Sequence, residues 1–193
     1  MPMEFEVKII EYLQAGASGF WTVFFKIVSI LGTYVAIAGL LCAFFFICKK
    51  RFLLLGGSLG LGLLVNLILK YIIKRDRPYV AHESIMCLGT GSGYSLPSSH
   101  AVCITILAIF LCYIVFYKVS KKSTKILTII ASVLAIIMVC LSRMYLGLHY
   151  FTDVCTGVAL GAIVSIAAII VYEKFIDKWI SKWKIFQKKE NKE

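Results

Sequence analysis

Five long apolar runs, separated by short polar segments, most constrain what this chain can fold into. They extend over about 21–48, 52–73, 98–117, 126–141 and 152–172. A helix needs roughly 20 apolar residues to cross a bilayer. In lipid only helices and closed barrels satisfy the backbone hydrogen bonds, and these runs lack the turn residues that separate strands. We therefore predict an all-α, integral-membrane helical bundle with about five transmembrane helices, in a single domain of residues 1–193.

The residues before the first run predict a different kind of helix. Residues 3–14 are amphipathic, with Phe5, Ile9, Tyr12 and Leu13 near one side. The segment is too short to span a bilayer, so we predict an N-terminal interfacial helix. An ordinary amphipathic start to the bundle is the alternative, and the segment suggests no chemistry of its own.

The distribution of charge predicts how the bundle lies in the membrane. The net charge is +11, and 14 of the 21 basic residues fall within 49–51, 118–125 and 174–192. The positive-inside rule places these segments, including a basic tail over 174–193, in the cytoplasm of a multi-pass cell-membrane protein. In a chain that is 60% hydrophobic, basic residues that contact anionic lipid explain the charge better than nucleic-acid binding does.

The cysteines predict neither a metal site nor a disulfide framework. All seven lack the CxxC or Cys/His spacing of a metal site, and their number is odd. We therefore predict no metal and no other cofactor.

The first of three polar islands in the apolar pattern contains Lys70, Arg77 and Pro78. Lys70 and Arg77 are seven residues apart, which is about two helical turns, so they lie on nearly the same side of a helix. A two-cation clamp for a phosphate fits this spacing. A basic cap on a membrane helix, with its charges extended to the surface, fits it as well.

The second island, Ser98, Ser99 and His100, follows Pro97 at the start of the third run. The N-terminus of a helix offers free N–H groups and a positive dipole end, which suit an anion. His100 is placed to donate a proton to a leaving group. The alternative is an ordinary serine N-cap beside an interfacial histidine.

The third island contains Arg143, Gly147, His149 and Asp153. Gly147 permits a turn, and His149 and Asp153 are four residues apart at the predicted start of the fifth helix. In a helix, that spacing lets the carboxylate accept from one imidazole nitrogen and leaves the other exposed, as a base, a metal ligand or a nucleophile requires. A structural His–Asp pair is the alternative. We expect His82, in the loop, to be solvated.

The alternation of the helices favours the functional interpretation of all three islands. The second and fourth spans run outward while the third and fifth run inward, so the islands reach one membrane face. Together they supply three cations, a helix N-terminus, a histidine with a carboxylate partner and a second histidine. This set predicts a phosphoryl-transfer site on the extracytoplasmic face.

The order of these motifs resembles the type 2 phosphatidic acid phosphatase superfamily, which also includes vanadium haloperoxidases. The pattern is Lys-x6-Arg-Pro, then Pro-Ser-x-His, then Ser-Arg-x5-His-x3-Asp. The matching positions are Lys70, Arg77, Pro78, Pro97, Ser98, His100, Ser142, Arg143, His149 and Asp153. One position departs from the pattern, because Ser99 replaces the usual glycine. The motifs cover residues 70–153.

The resemblance implies a mechanism. His149 attacks phosphorus to form a phosphohistidine, Asp153 holds the imidazole, and His100 protonates the leaving oxygen and then activates water. The phosphate oxygens are held by the three cations and the second island: Lys70, Arg77, Arg143, Ser98 and Ser99.

The resemblance also implies a substrate class, a membrane lipid phosphate. Undecaprenyl diphosphate is the first candidate because an outward site suits the recycling of a lipid carrier, and phosphatidylglycerol phosphate and phosphatidic acid follow. A lipid phosphotransferase would use the same site. A non-catalytic lipid-phosphate binder or transporter would need the cations but not both histidines. The pattern predicts no particular oligomeric state.

Overall fold

All regular elements in the described part of the chain are helices, as predicted. The computed structural model describes residues 3–35, 37–38 and 49–176. The helices are α1 (Glu4–Ala15), α2 (Gly19–Ile30, which widens into a π-helical turn at Leu31–Val35), α3 (Lys49–Ile73), α4 (Pro78–Ala81), α5 (Ser99–Lys118), α6 (Lys122–Tyr145) and α7 (Phe151–Val171, followed by a π-helical turn at Tyr172–Ile176).

Four helical segments in these ranges are long and apolar enough to cross a membrane. They are Leu53–Ala81, Ser99–Lys118, Lys122–Tyr145 and Phe151–Phe175. A fifth candidate arises if Glu4–Ala15 and Gly19–Tyr34, which meet at a 119° bend, count as one broken span. The membrane-bundle class is confirmed. Most of the predicted first span beyond residue 35, and the predicted basic tail from residue 177, lie outside the described residues.

Helix α5 forms the centre of the bundle and packs against α3, α6 and α7. Half of the most apolar stretch of α5 is buried inside the bundle, whereas only 28% of the corresponding stretches of α3 and α7 is buried. Val102, Ile106 and Phe110 of α5 pack with Leu55 of α3 and Val164 of α7 in the main hydrophobic cluster.

Close approaches between the spans occur at particular glycines. A Cβ built at Gly56, Gly57 or Gly60 of α3 meets nothing within 4 Å. One close approach lies between α7 and α5, where a Cβ at Gly157 would lie 2.6 Å from the carbonyl oxygen of Ser98. Another lies between α3 and α5, where a Cβ at Gly62 would lie 2.8 Å from Cδ1 of Ile106. Small residues permit such approaches between membrane helices.

Helix α1 packs against the end of the bundle through a face that the sequence did not predict. Its buried residues are Glu6, Ile10 and Gln14, whereas Phe5 and Tyr12 are 45% and 83% exposed. Polar side chains occupy the buried face because they have partners there. The Gln14 amide donates 2.9 Å bonds to the carbonyl oxygens of Met86 and Tyr145, and it accepts from the Met86 N–H at 2.9 Å.

Candidate active site

Four helix ends converge at one end of the bundle and bring the three polar islands together. The Ser98 N–H at the start of α5 donates to the carbonyl oxygen of Asp153 in α7 at 3.0 Å. The Asn66 amide of α3 donates to the Pro97 carbonyl at 3.1 Å. The C-terminal end of α6 lies beside these two helix ends. It carries the buried Arg143, and the short loop that follows it carries the buried His149. The islands thus form a single site, as the alternating topology predicts.

The first island contributes two cations that hold the loop between α4 and α5. The ammonium of Lys70 donates to the carbonyl oxygens of Tyr94 and Ser95 at 2.6 and 3.2 Å. The buried Arg77 guanidinium donates to three carbonyl oxygens, those of Ser92 at 2.7 Å, Gly93 at 2.9 Å and Leu148 at 3.0 Å. An arginine has five N–H donors and a lysine three, so both cations keep donors for a phosphate.

The second island forms the first turn of α5. Ser98 is the N-cap of α5. Its N–H already donates to the carbonyl oxygen of Asp153, whereas its buried hydroxyl has no hydrogen-bond partner in the described ranges. Any contact from Ser98 to phosphate therefore comes from the hydroxyl. The Ser99 hydroxyl donates to the Asn66 side-chain oxygen at 2.8 Å, so it braces two helices. The N–H groups of Ser99 and His100 belong to the turn that has no partner within the helix.

His100 faces the centre of the site. Its ring packs edge-on against the ring of Tyr34, with the centroids 5.7 Å apart. It lies within electrostatic range of the cations of both other islands and of His149. The two histidines therefore lie close to each other and to the cations.

His149 lies in the loop between α6 and α7, which corrects the predicted placement within the helix. The helix begins at Phe151, with Tyr150 as its N-cap. Gly147, with a φ of +73°, makes the turn that the sequence predicts. The Nδ1 atom of His149 lies 3.6 Å from Oδ2 of Asp153, beyond hydrogen-bond length, so the pair interacts electrostatically.

Burial keeps His149 neutral. Removal from water lowers the pKa of the imidazole to about 4, although the adjacent Asp153 carboxylate opposes the shift, and the Arg143 guanidinium adds to it. A neutral imidazole has the free lone pair that a nucleophile or base needs.

Arg143 opens onto a cavity of about 240 Å³. It donates to the Ser29 hydroxyl of α2 at 2.7 Å, and its buried Nε has no partner among the described residues. Such an unpaired donor is costly unless a ligand satisfies it. The cavity is lined by Lys26, Ser29, Ile30, Tyr34, Gly89, Thr90, His100, Arg143 and Leu146.

Two residues beside Asp153, Arg75 and Glu6, were not predicted from the sequence. Arg75 donates to Asp153 at 2.6 Å and to Glu6 at 2.7 Å. Arg75 lies within a run of four charged residues, so no local signal separates it from Lys74 and Asp76. Glu6 lies in a helix to which the sequence assigns no chemistry.

The expectation of a solvated His82 was wrong. Its side chain is half-buried, and its ring packs edge-on against Tyr150 with the centroids 6.1 Å apart. Its Nε2 is buried without a hydrogen-bond partner among the described residues. Tyr150, which the sequence did not single out, covers it.

The sequence and the fold identify the family to which this chain belongs. The sequence profile of the PAP2 superfamily matches residues 51–177, which make up more than half of the chain. The chain belongs to this superfamily, and the sequence-based resemblance is confirmed.

Several bacterial phosphatases are similar to this chain. Phosphatidylglycerophosphatase B of Bacillus subtilis (strain 168) is 36% identical over 110 residues, which cover 53% of this chain and 48% of the relative. Decaprenylphosphoryl-5-phosphoribose phosphatase of Mycolicibacterium smegmatis is 32% identical over 110 residues, covering 56% of this chain and 53% of the relative. The chain spans about half the length of these relatives.

One similar solved structure is that of a transmembrane PAP2-type phosphatidylglycerolphosphate phosphatase from Bacillus subtilis. It superposes with a TM-score of 0.74 at 24% identity, covering 88% of this chain and 85% of that one. The likeness is therefore one of fold, over most of both chains.

Proposed function

We propose that this protein is a membrane lipid phosphate phosphatase that works through a phosphohistidine on His149. The observation that carries the proposal is the position of a buried, neutral His149 beside Asp153, in a site with three cations and a second histidine. A protein that only binds lipid phosphate would need the cations alone. Membership of the PAP2 superfamily supports the same activity.

The first chemical step is the attack of His149 on phosphorus. Because Nδ1 faces Asp153, Nε2 is the nitrogen left to form the bond. As the N–P bond forms, the bond from phosphorus to the leaving oxygen breaks and the imidazole becomes positively charged. The Asp153 carboxylate stabilises that charge, as the aspartate of a catalytic triad does for its histidine.

The cations stabilise the charge that develops on the equatorial oxygens. Lys70, Arg77 and Arg143 lie close enough to interact electrostatically with one another, and fixed donors in a site shielded from water are effective in this role. Arg143 is the most available of the three, because its buried Nε has no other partner in the described ranges. The N–H groups of the first turn of α5 supply further donors.

His100 acts first as the general acid and then as the general base. The negative charge of a bound phosphate favours the protonated form of His100, which gives its proton to the leaving oxygen. The same histidine, now neutral, takes a proton from the water that attacks phosphorus. The N–P bond then breaks, inorganic phosphate leaves, and His149 returns to its neutral form.

The cavity supports a lipid diphosphate as the first substrate, with undecaprenyl diphosphate ahead of phosphatidylglycerol phosphate and phosphatidic acid. Lys26 lines the cavity together with Arg143 and His100, so a fourth cation is available for a second phosphate. One relative is named for a decaprenyl lipid and the other for phosphatidylglycerophosphate. We infer from the positive-inside rule that the site faces outward and the C-terminus the cytoplasm.

The proposed reaction uses no metal ion. Within the described ranges, no three His, Cys, Asp or Glu side chains cluster as metal ligands would. The cations of the site take the place that Mg²⁺ holds in other phosphoryl transfers. We expect full turnover in EDTA, and competitive inhibition by orthovanadate, which mimics pentacoordinate phosphorus.

The deciding experiment measures phosphate release by the purified protein in mixed micelles across lipid monophosphates and diphosphates. We expect turnover with at least one lipid and none for His149→Ala, whereas His82→Ala, which removes a histidine outside the proposed site, retains turnover. Release by His149→Ala near the wild-type rate would refute the nucleophile. Addition of a lipid alcohol as acceptor separates hydrolysis from phosphotransfer, because only a transferase yields the phosphorylated acceptor.

A further inference from the structure

The carboxylate of Asp153 is fully buried, and its two oxygens have different partners. Oδ2 accepts from the Tyr150 N–H at 2.8 Å and lies 3.6 Å from Nδ1 of His149. Oδ1 accepts from Arg75 at 2.6 Å. The oxygen that faces the proposed nucleophile is therefore selected by what binds the other oxygen.

Arg75 is itself held from several directions. Its second terminal nitrogen donates to Oε2 of Glu6 at 2.7 Å. The nitrogen that contacts Asp153 also donates to the Thr152 hydroxyl at 2.7 Å, and the guanidinium lies 4.0 Å above the ring of Tyr150. A planar guanidinium with this many fixed contacts has little freedom to change partners.

Glu6 joins the N-terminal helix to this network. Only 1% of Glu6 is exposed, and its Oε1 accepts from the N–H and the hydroxyl of Thr152 at 2.9 and 2.6 Å. A buried carboxylate without a partner is strongly unfavourable, so both charges of the Glu6–Arg75 pair depend on each other. Glu6 also shares the positive charge of Arg75, which would otherwise fall on Asp153 alone.

We propose that Glu6 and Arg75 are positioning residues that hold Asp153 against His149 and set how much negative charge the histidine experiences. Helix α1 thereby forms part of the catalytic unit. The inference rests on the proposed function, since it assigns these two residues a role in the same reaction. Neither residue touches the substrate. Both act through Asp153.

The two residues have opposite effects on the charge at His149, which provides a signature. His149 is faced by Asp153 from α7, Arg143 from α6, Arg77 from the loop after α3, and His100 from α5. Arg75→Met leaves Asp153 without its cation, so His149 retains a proton to higher pH. Glu6→Gln directs the charge of Arg75 onto Asp153 alone, so His149 loses its proton more readily.

The experiment compares pH profiles of kcat/KM with the most active lipid of the panel. We expect the acidic limb to move up by about one pH unit in Arg75→Met, the shift that one nearby charge typically produces, and to move down in Glu6→Gln. We also expect kcat to fall roughly tenfold to a hundredfold in both variants, because a small misplacement of a catalytic group has effects of that size. Arg75→Lys should restore part of the wild-type profile.

Matched controls separate position from charge. Lys74→Met removes the neighbouring, exposed cation, and Glu4→Gln removes an exposed carboxylate of the same helix, which pairs only with Lys8 among the described residues. Both should keep the wild-type profile. Thermal unfolding in detergent shows which variants are folded.

The inference is overturned if Glu6→Gln and folded Arg75→Met both keep the wild-type limb while the wild type shows turnover that depends on His149. If Arg75→Met does not fold, the pH profiles of Glu6→Gln and Arg75→Lys decide alone. An acidic limb at the wild-type pH in both of these variants then overturns the inference. A wild type without turnover, or a fully active His149→Ala, refutes the proposed function instead. The two failures are therefore distinguishable.

Discussion

The backbone N–H of Ser98 donates to the backbone carbonyl of Asp153 at 3.0 Å, so the second and third islands are joined by the main chain itself. The bond ties the N-cap of α5 to the first turn of α7. It fixes the distance between the helix that carries His100 and the helix whose carboxylate faces His149. The contact is possible because Gly157, one turn further along α7, leaves room for the carbonyl of Ser98.

Gly157→Ala tests this contact between helices. The new Cβ would lie 2.6 Å from the Ser98 carbonyl oxygen and 2.8 Å from Cβ of Ala101, so α5 and α7 must separate. Overpacking of this kind typically costs about 1–3 kcal/mol. We expect a lower thermal unfolding temperature in detergent together with a lower kcat.

Gly60→Ala is the control for that substitution, because its Cβ meets nothing within 4 Å. In a helix, alanine is favoured over glycine by about 1 kcal/mol. We expect Gly60→Ala to keep the wild-type kcat and to unfold at the same or a higher temperature. Equal behaviour of the two alanine variants would contradict the packing argument.

The hydroxyl of Ser99 provides a second prediction. It donates to the Asn66 side-chain oxygen at 2.8 Å, and the Asn66 amide donates to the Pro97 carbonyl. Ser99→Ala leaves a buried acceptor on Asn66 unsatisfied, which costs about 1–3 kcal/mol. We expect Ser99→Ala and Asn66→Ala to destabilise the protein less than additively when combined, because they remove the same bond.

A double-mutant cycle of thermal or denaturant unfolding measures that coupling. Additive effects would mean that the Ser99 hydroxyl acts elsewhere, for instance on the phosphate. In that case Ser99→Ala should instead raise KM and leave the unfolding temperature unchanged. The cycle thus separates a bracing serine from a ligand at the position where the family pattern has glycine.

Much of the fold could be predicted because lipid restricts what an apolar run can become. The third run was predicted over about 98–117 and the helix covers Ser99–Lys118, while the fifth was predicted over about 152–172 and the helix covers Phe151–Val171. Helix α6 is longer than its apolar run at both ends, because polar residues continue a helix outside the hydrocarbon. The convergence of the islands follows from the alternating direction of the spans.

The contacts of α1 could not be predicted, because they depend on tertiary packing between distant residues. Glu6 meets Thr152 across 146 positions of sequence, and an amphipathic pattern favours burial of Phe5 and Tyr12 over burial of a glutamate. The position of His149 outside the helix escaped the spacing argument for a related reason. The turn at Gly147 brings histidine and aspartate together without helical geometry between them.

The pH dependence of kcat/KM follows from the burial of His149. Because its pKa is lowered to about 4, the imidazole is neutral and nucleophilic throughout the neutral range. As the pH falls through about 4, protonation removes the lone pair, and kcat/KM should then fall about tenfold per pH unit, since kcat/KM reports the free enzyme. A limb near the ordinary histidine value of about 6.5 would contradict the effect of burial.

Gly147→Ala should abolish turnover by displacing His149. Gly147 has a φ of +73°, which costs an L-residue roughly 1–2 kcal/mol, and a Cβ there would collide with the carbonyl oxygen of Met86.

The matched control is Gly93→Ala, because Gly93 has a φ of +65° and a Cβ added there would meet open space. The backbone cost is therefore common to both, and the collision belongs to Gly147 alone. We expect Gly93→Ala to unfold only slightly earlier and to keep most of its kcat, while Gly147→Ala loses phosphate release at temperatures where it is still folded by circular dichroism. If both variants lose activity in proportion to their stability, the turn has no specific role in placing the nucleophile.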